Sequence, residues 1–160
     1  MHGRSRRLWV WALVPVLLGS GCAADGLAFV RDERVEILSP SSGATVRLPF
    51  EVRWSASDVD ARYLVLFDRT PMRPNRSLRS LVPSDDQCRA RPSCPDERWL
   101  ADHDLYLTDG TSIRVQDLPE ERTNHRAKDR HEVTIVLIDD RGRRIGESVF
   151  IREFIVDRED

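Results

Sequence analysis

Apolar and polar residues alternate most clearly in the segment that carries Phe50, Val52 and Trp54, with charged residues between them. In an extended strand these three side chains share one face, which is typical of a sheet with a core on one side and water on the other. Residues 63–67 are apolar throughout, so we expect a central strand that is covered on both faces. Residues 133–138 form a second, mostly apolar strand.

Turn-forming residues divide the rest of the chain into shorter strands. Residues 105–108 and 112–115 flank the Asp-Gly-Thr sequence at 109–111, which predicts a hairpin with a glycine-containing turn. Further strands are expected at 35–38, 44–46 and 146–156. These elements together predict an all-β antiparallel sandwich of about seven strands.

The connection between residues 68 and 104 carries five prolines, which interrupt regular structure. A connection of this length is unusual in a compact domain unless it is functional or held in place. The segment from Pro95 to Leu100 predicts one helical turn, because it has proline at the first position, acidic residues next and two apolar residues to bury.

A family resemblance is carried by residues 34–67. A strand, a turn from Pro40 to Gly43, an alternating strand ending in Trp54, a polar loop and an apolar strand containing Tyr63 resemble the opening of bacterial immunoglobulin-like or fibronectin-type-III-like domains. The resemblance implies an immunoglobulin-like sandwich over residues 34–157 and carries over no functional residue. The disulfide that joins the two sheets of antibody domains has no counterpart, because neither Cys88 nor Cys94 lies in these strands.

The N-terminus has the layout of a secretory signal. Three arginines precede an apolar run from Leu8 to Leu18, which is too short to span a bilayer permanently. Small residues and Cys22 follow this run. We therefore expect an exported protein.

The stretch from Leu17 to Cys22 resembles the lipobox of bacterial lipoproteins. Ser20 and Gly21 match the small residues of that motif, whereas Gly19 stands where the family usually has leucine. The resemblance implies that Cys22 is diacylated and becomes the N-terminus; ordinary cleavage that leaves a free thiol is the alternative. Two or more acyl chains would meet the requirement for stable anchoring.

The resulting organisation is a signal peptide at 1–21, a tether at 22–33 and the sandwich at 34–157. The lipid at Cys22 would hold the protein on the cell membrane or the outer membrane. An exported chain meets an oxidising environment, and with Cys22 lipidated the remaining pair, Cys88 and Cys94, is expected to form a disulfide inside the long connection.

Charge excludes one class of partner. Three of the 25 basic residues and none of the 27 acidic residues precede Cys22, so the rest of the chain has 22 basic and 27 acidic residues, a net charge of −5. This balance provides no general attraction for nucleic acid, and we expect no nucleic-acid partner.

The candidates for catalysis or metal binding are weak. The chain lacks the G-x-S-x-G, phosphate-loop and H-E-x-x-H motifs. The best acid–base cluster is Asp102-His103-Asp104, but it has no second histidine or cysteine at a suitable spacing, and we expect no metal and no cofactor. Calcium is a somewhat better guess, because it takes several oxygens from different segments. The aspartates available for it are Asp58, Asp60, Asp102, Asp104 and Asp109.

The remaining histidines near the charged loop, His125 and His131, are expected to be solvated. The most distinctive surface candidate is a run of eleven residues that holds four arginines and no acidic residue. Arginine forks suit phosphate and carboxylate groups, so an anionic envelope polymer, a lipid headgroup or an acidic protein is the expected partner. A simple solvated loop is the alternative. The four residues are Arg69, Arg73, Arg76 and Arg79.

The sequence thus favours a non-catalytic, lipid-anchored envelope protein whose domain binds or scaffolds a partner. Two alternatives stay open. One is a small hydrolase or metal-dependent enzyme that uses the region from Asp102 to Asp109, and the other is a structural spacer without a ligand. A sandwich fold by itself does not separate these functions.

The acylation of Cys22 is directly testable. Mass spectrometry of the protein from the membrane fraction should show a chain that begins at Cys22 and carries lipid, because the modified cysteine becomes the N-terminus. Cys22→Ala should release the protein or leave it unprocessed. A soluble wild-type protein with an unmodified N-terminus would contradict the prediction.

Overall fold

A computed structural model of the chain describes residues 32–57, 60–119 and 129–158. These residues form eight strands, two 3-10 turns at Leu78–Leu81 and Gln87–Ala90, and one short helix, α1, at Glu97–Ala101. The strands are β1 Val35–Ser39, β2 Thr45–Arg47, β3 Phe50–Ala56, β4 Arg62–Phe67, β5 Leu105–Thr108, β6 Ser112–Val115, β7 Asp129–Ile138 and β8 Phe150–Asp157.

The strands form two sheets. One has three strands in the order β1-β3-β6, and the other has five in the order β2-β8-β7-β4-β5. The expectation of an all-β fold built from two sheets is confirmed. All pairs are antiparallel except β2 with β8, which is parallel.

The main core lies between the two sheets. The predicted inward face of β3 is confirmed for Val52 and Trp54, which are buried, while Phe50 packs beside them. Trp54 meets Tyr63 of β4 edge to face, with 5.3 Å between ring centroids. Such an arrangement places the positive edge of one ring against the negative face of the other. The buried members contributed by the larger sheet are Tyr63, Val65, Phe67, Val133, Ile135, Leu137, Phe150, Phe154 and Val156.

A second core covers the opposite face of the larger sheet. The alternate residues of β4 and β7 point outward, yet they are buried under the connection between β4 and β5. The long connection is therefore a third layer and not an open loop, which explains why β4 is apolar on both faces. The second core consists of Leu64, Leu66, Met72, Val82, Cys88, Cys94, Trp99, Leu100, Leu105, Val136 and Ile138.

The predicted Cys88–Cys94 disulfide is present within this layer, with 5.4 Å between the two Cα atoms. The carboxylate of Asp86 joins the disulfide segment to α1, because it accepts hydrogen bonds from the Cys88 backbone N–H at 2.7 Å and from the Trp99 indole at 3.0 Å. These two bonds hold the pKa of Asp86 below its usual value. The predicted helical turn is also confirmed, with Asp96 capping its first turn.

The predicted hairpin at 105–115 is wrong. Strand β5 pairs with β4 and β6 pairs with β3, so the turn between them crosses from one sheet to the other. Gly110 does not adopt the left-handed conformation that the tight hairpin turns require of glycine. Asp109 in this turn is instead held by Arg62 at 2.8 Å.

Removal of the disulfide should loosen the third layer and leave the sandwich folded. The two cysteines are only six positions apart, so the disulfide removes little conformational entropy from the unfolded chain. Cys88→Ser/Cys94→Ser should therefore lower the free energy of unfolding by about 2 kcal/mol. Proteolysis between residues 68 and 104 should become faster, while the far-ultraviolet circular dichroism of the sheets is retained. Loss of the sheet signal, or unchanged proteolysis, would contradict the assigned role, and reduced wild-type protein is the control.

Candidate anion-binding site

The structure separates the four arginines of the predicted stripe. Arg76 and Arg79 line a cavity of about 320 Å³, whereas Arg69 and Arg73 are exposed but do not line it. Two further arginines, which sequence reasoning missed, complete the cavity from distant positions. The full lining is Asn75, Arg76, Ser77, Arg79, Ser80, Arg89 and Arg143, and we call it the arginine pocket.

One wall of the arginine pocket is a short stretch of sheet-like pairing between residues 75–78 and 142–144. Leu78 N donates to Gly142 O at 2.8 Å, and Arg144 N donates to Arg76 O at 2.9 Å. Ser77 and Arg143 face each other as an antiparallel bridge. These bonds place Arg76 and Arg143, which are 67 positions apart by their residue numbers, on the same cavity.

The turn that carries Arg143 is tightly specified. The Asp139 carboxylate accepts hydrogen bonds from Arg141 N at 3.0 Å and Arg143 N at 2.7 Å. Gly142 adopts a φ of +72°, a conformation that residues with a side chain rarely take. The backbone of this turn is therefore well defined, and it places Arg143 at the cavity.

The other lining residues, Arg79, Ser80 and Arg89, come from the two 3-10 turns. Arg79 donates through Nη2 to Arg89 O at 2.6 Å, and Arg89 donates through Nε to Val82 O at 3.1 Å. Each guanidinium group carries five N–H donors, so both residues retain donors after these bonds. Arg89 lies inside the ring closed by the disulfide, directly after Cys88.

No carboxylate among the described residues neutralises this site. Within the part of the chain that the structure describes, none of the four pocket arginines forms an ion pair, and no acidic residue lines the cavity. Arginines elsewhere do find partners, such as Arg47 with Asp157 at 3.0 Å and Arg91 with Asp96 at 3.1 Å. The pocket concentrates positive charge in a domain that is acidic overall.

A buried arginine directly after Arg143 holds several loop segments together. Arg144 donates to the backbone carbonyl groups of Met72, Glu147 and Ser148. Burial lowers its pKa from the usual value for arginine, because it disfavours the charged form. Its role is to satisfy three carbonyl oxygens and to fix the segment that precedes Arg76.

The prediction that His131 is solvated is wrong. It is 2% exposed on β7 and stacks on Phe154. Its Nδ1 lies 2.6 Å from Asp68 Oδ2, and its Nε2 makes a longer ionic contact, 3.2 Å, with Asp129 Oδ1. Burial lowers the pKa of His131, but the two carboxylates outweigh burial, so the pKa is raised. The signal that could have found it is its alternation with Val133 and Ile135 along one strand.

The acid–base candidates at 102–109 are not assembled into a site. His103 turns back to α1, where its Nδ1 lies 2.7 Å from Trp99 O and its ring stacks on the Trp99 ring. Asp102 ends α1, and Asp109 is engaged by Arg62. Among residues 32–57, 60–119 and 129–158, no group of three or more histidine, cysteine or acidic side chains could hold a metal ion.

Several predicted features lie outside the described residues: Cys22, the signal peptide, Asp58, His125 and most of the tether. No helix in the described ranges is long and apolar enough to cross a membrane. Comparison with known protein families, with curated proteins and with solved structures returned no match.

The His131 contacts predict a stability that depends on pH. Because the pKa of His131 is raised above its unfolded value of 6.5, the stabilisation should be fully present below about pH 6.5 and lost as pH rises through the folded pKa. His131→Gln should remove this fall in stability with rising pH, as measured by denaturant unfolding across the range. A matched variant at a half-exposed position, His103→Gln, should keep it. The same pH slope in the wild type and in His131→Gln would contradict the assignment.

Proposed function

We propose that this protein is a lipid-anchored component of a bacterial cell envelope, and that its immunoglobulin-like domain binds an anionic partner without catalysing a reaction. The observation that supports this function best is the arginine pocket, a cavity lined by four arginines and, among the described residues, by no acidic residue. A binding role needs no more chemistry than this.

The chemistry of the pocket suits recognition. Guanidinium groups stay charged at all physiological pH values, and they form paired, charge-assisted hydrogen bonds to oxoanions. Such groups neither give up nor take protons readily, so they offer little general acid–base chemistry. The partner expected for an envelope protein is an anionic polymer or an acidic protein.

The anchor would compensate for a low affinity of this exposed, charged contact. A lipid at Cys22 would confine the protein to a membrane surface, so that a modest affinity for a partner in the envelope is sufficient at the resulting high local concentration. The tether at 22–33 would let the domain stand away from the membrane.

The test measures binding to isolated envelope fragments by the chain from residue 23 onward, which lacks the anchor. Binding should weaken with added salt, because exposed charge contacts are screened. Arg76→Gln/Arg143→Gln should reduce the affinity by about tenfold or more, since a hydrogen bond to a charged group contributes on the order of one factor of ten.

The matched control is Arg69→Gln/Arg73→Gln, which removes the same charge from outside the pocket and should change the affinity little. Equal losses in the two double variants would mean that net charge, and not the pocket, governs retention. Salt-insensitive retention of all three proteins would contradict the proposal.

A further inference from the structure

We infer that the arginine pocket recognises a phosphomonoester, that is, a terminal phosphate group, in preference to a carboxylate or to a phosphodiester within a polymer. This inference rests on the proposed function, because it names the anion that the same pocket would bind. Four properties of the site lead to it: its donors, its charge, its size and the way in which its arginines are held.

The described lining consists mostly of hydrogen-bond donors. It is formed by four arginines, Ser77, Ser80 and Asn75. The Ser80 hydroxyl already donates to Ser77 O at 2.8 Å, so the arginines supply most of the donors. Guanidinium groups cannot accept hydrogen bonds, so the ligand must supply many acceptors in a small space. A carboxylate has two oxygens, and one or two arginine forks occupy them, whereas a terminal phosphate has three exposed oxygens that several forks can share.

The charge of the ligand distinguishes a phosphomonoester from a phosphodiester. A phosphomonoester carries a charge of about −1.5 to −2 at pH 7, while a diester or a carboxylate carries only one negative charge. The pocket holds four arginines and no acidic residue in its described lining. The more highly charged group therefore neutralises more of the repulsion among the arginines when it binds.

Size limits how much of the ligand enters. A cavity of about 320 Å³ lies at the lower end of the range for small-molecule sites, which is about 300 to 1,000 Å³. It accommodates a phosphate and a short part of its substituent rather than several units of a polymer. All four pocket arginines are exposed, so the rest of a larger ligand can remain in solvent.

Two arginines are already oriented before a ligand arrives. Hydrogen bonds to backbone carbonyl groups hold the side chains of Arg79 and Arg89, and the disulfide closes the segment that carries Arg89. Fixed donors lose less conformational entropy on binding. Arg76 and Arg143 have no side-chain hydrogen bond within the described residues, so their guanidinium groups are available to the phosphate.

The experiment uses isothermal titration calorimetry of the mature lipidated protein, which begins at Cys22, purified in a non-ionic detergent. The probes are glycerol phosphate and inorganic pyrophosphate as terminal phosphates, with dimethyl phosphate as a diester and acetate as a carboxylate. We expect the terminal phosphates to bind at least about tenfold more tightly than dimethyl phosphate or acetate. Arg76→Gln/Arg143→Gln should lose this binding by about tenfold or more, and Arg69→Gln/Arg73→Gln should keep it.

The pH dependence identifies the group that titrates. Affinity for glycerol phosphate should fall between about pH 7.5 and pH 5, because its second ionisation lies near pH 6 while the arginines stay charged. Sulfate keeps its two charges over this range, so its affinity should stay constant. A parallel fall for sulfate would place the titration on the protein and would overturn this reading of the ligand.

A lipid and a free phosphate compound present the same chemistry, and one further probe distinguishes these sources. Short-chain phosphatidic acid should bind more tightly than glycerol phosphate if the natural ligand is a lipid headgroup, and equally tightly if only the phosphate is read. Either result supports a phosphomonoester site.

Two outcomes would overturn the inference in distinguishable ways. If dimethyl phosphate or acetate binds as tightly as glycerol phosphate and the pocket double variant loses both, the pocket binds anions without the proposed selectivity, and the proposed function stands. If no probe binds and the pocket variant also retains full binding to envelope fragments, the proposed function fails as well. Thermal unfolding of both double variants verifies that they remain folded.

Discussion

The structure depends on the burial of β4 and β7 on both faces. Tyr63 and Val65 point into the space between the sheets, while Leu64 and Leu66 point the other way and would meet water in an open two-layer sandwich. Each large apolar side chain left in water would forfeit on the order of 1.5–3 kcal/mol of burial free energy. The connection from residue 68 to residue 104 meets this requirement by folding over the outer face, and its irregular path produces the site.

The arginine pocket follows from that covering layer. A chain that must lie across a sheet without forming strands of its own satisfies its backbone groups by short-range bonds and 3-10 turns. Segment 75–78 pairs with the turn at 142–144, and Arg144 reaches beneath it to the carbonyl group of Met72. The second 3-10 turn, held by Asp86 and the disulfide, contributes Arg89 to the lining. Guanidinium groups are thereby placed at the surface over an apolar layer.

Much of the fold could be predicted from local patterns. The alternation in β3 and the continuous apolar run in β4 reflect burial on one face and on two faces, and a two-residue period is a strong signal. The hairpin prediction failed because turn residues describe only local preference. The pairing of β5 with β4 and of β6 with β3 is decided by which apolar face each strand can bury: Leu105 joins the outer core and Val115 the inner one.

The site was harder to predict for the same reason. Clustering in the sequence indicated Arg76 and Arg79, but Arg89 and Arg143 reach the cavity through the path of the covering layer, which has no periodic signature. His131 was missed because charged neighbours suggested a loop. Its position on β7 places it on the inward face, where the carboxylate of the distant Asp68 and that of the nearby Asp129 stabilise it. Contacts between segments that are far apart in the sequence cannot be predicted from amino-acid composition.

The short outermost strands of the two sheets affect how readily the protein aggregates at high concentration. Strands β2, β5 and β6 contain only three or four residues each, and β1 changes register between Ile37 and Ser39 before it reaches Pro40. Short or irregular outer strands present few unpaired backbone groups in a row, which makes them poor templates for a strand from another molecule. Molecules at high concentration would therefore be protected from joining sheet to sheet and aggregating.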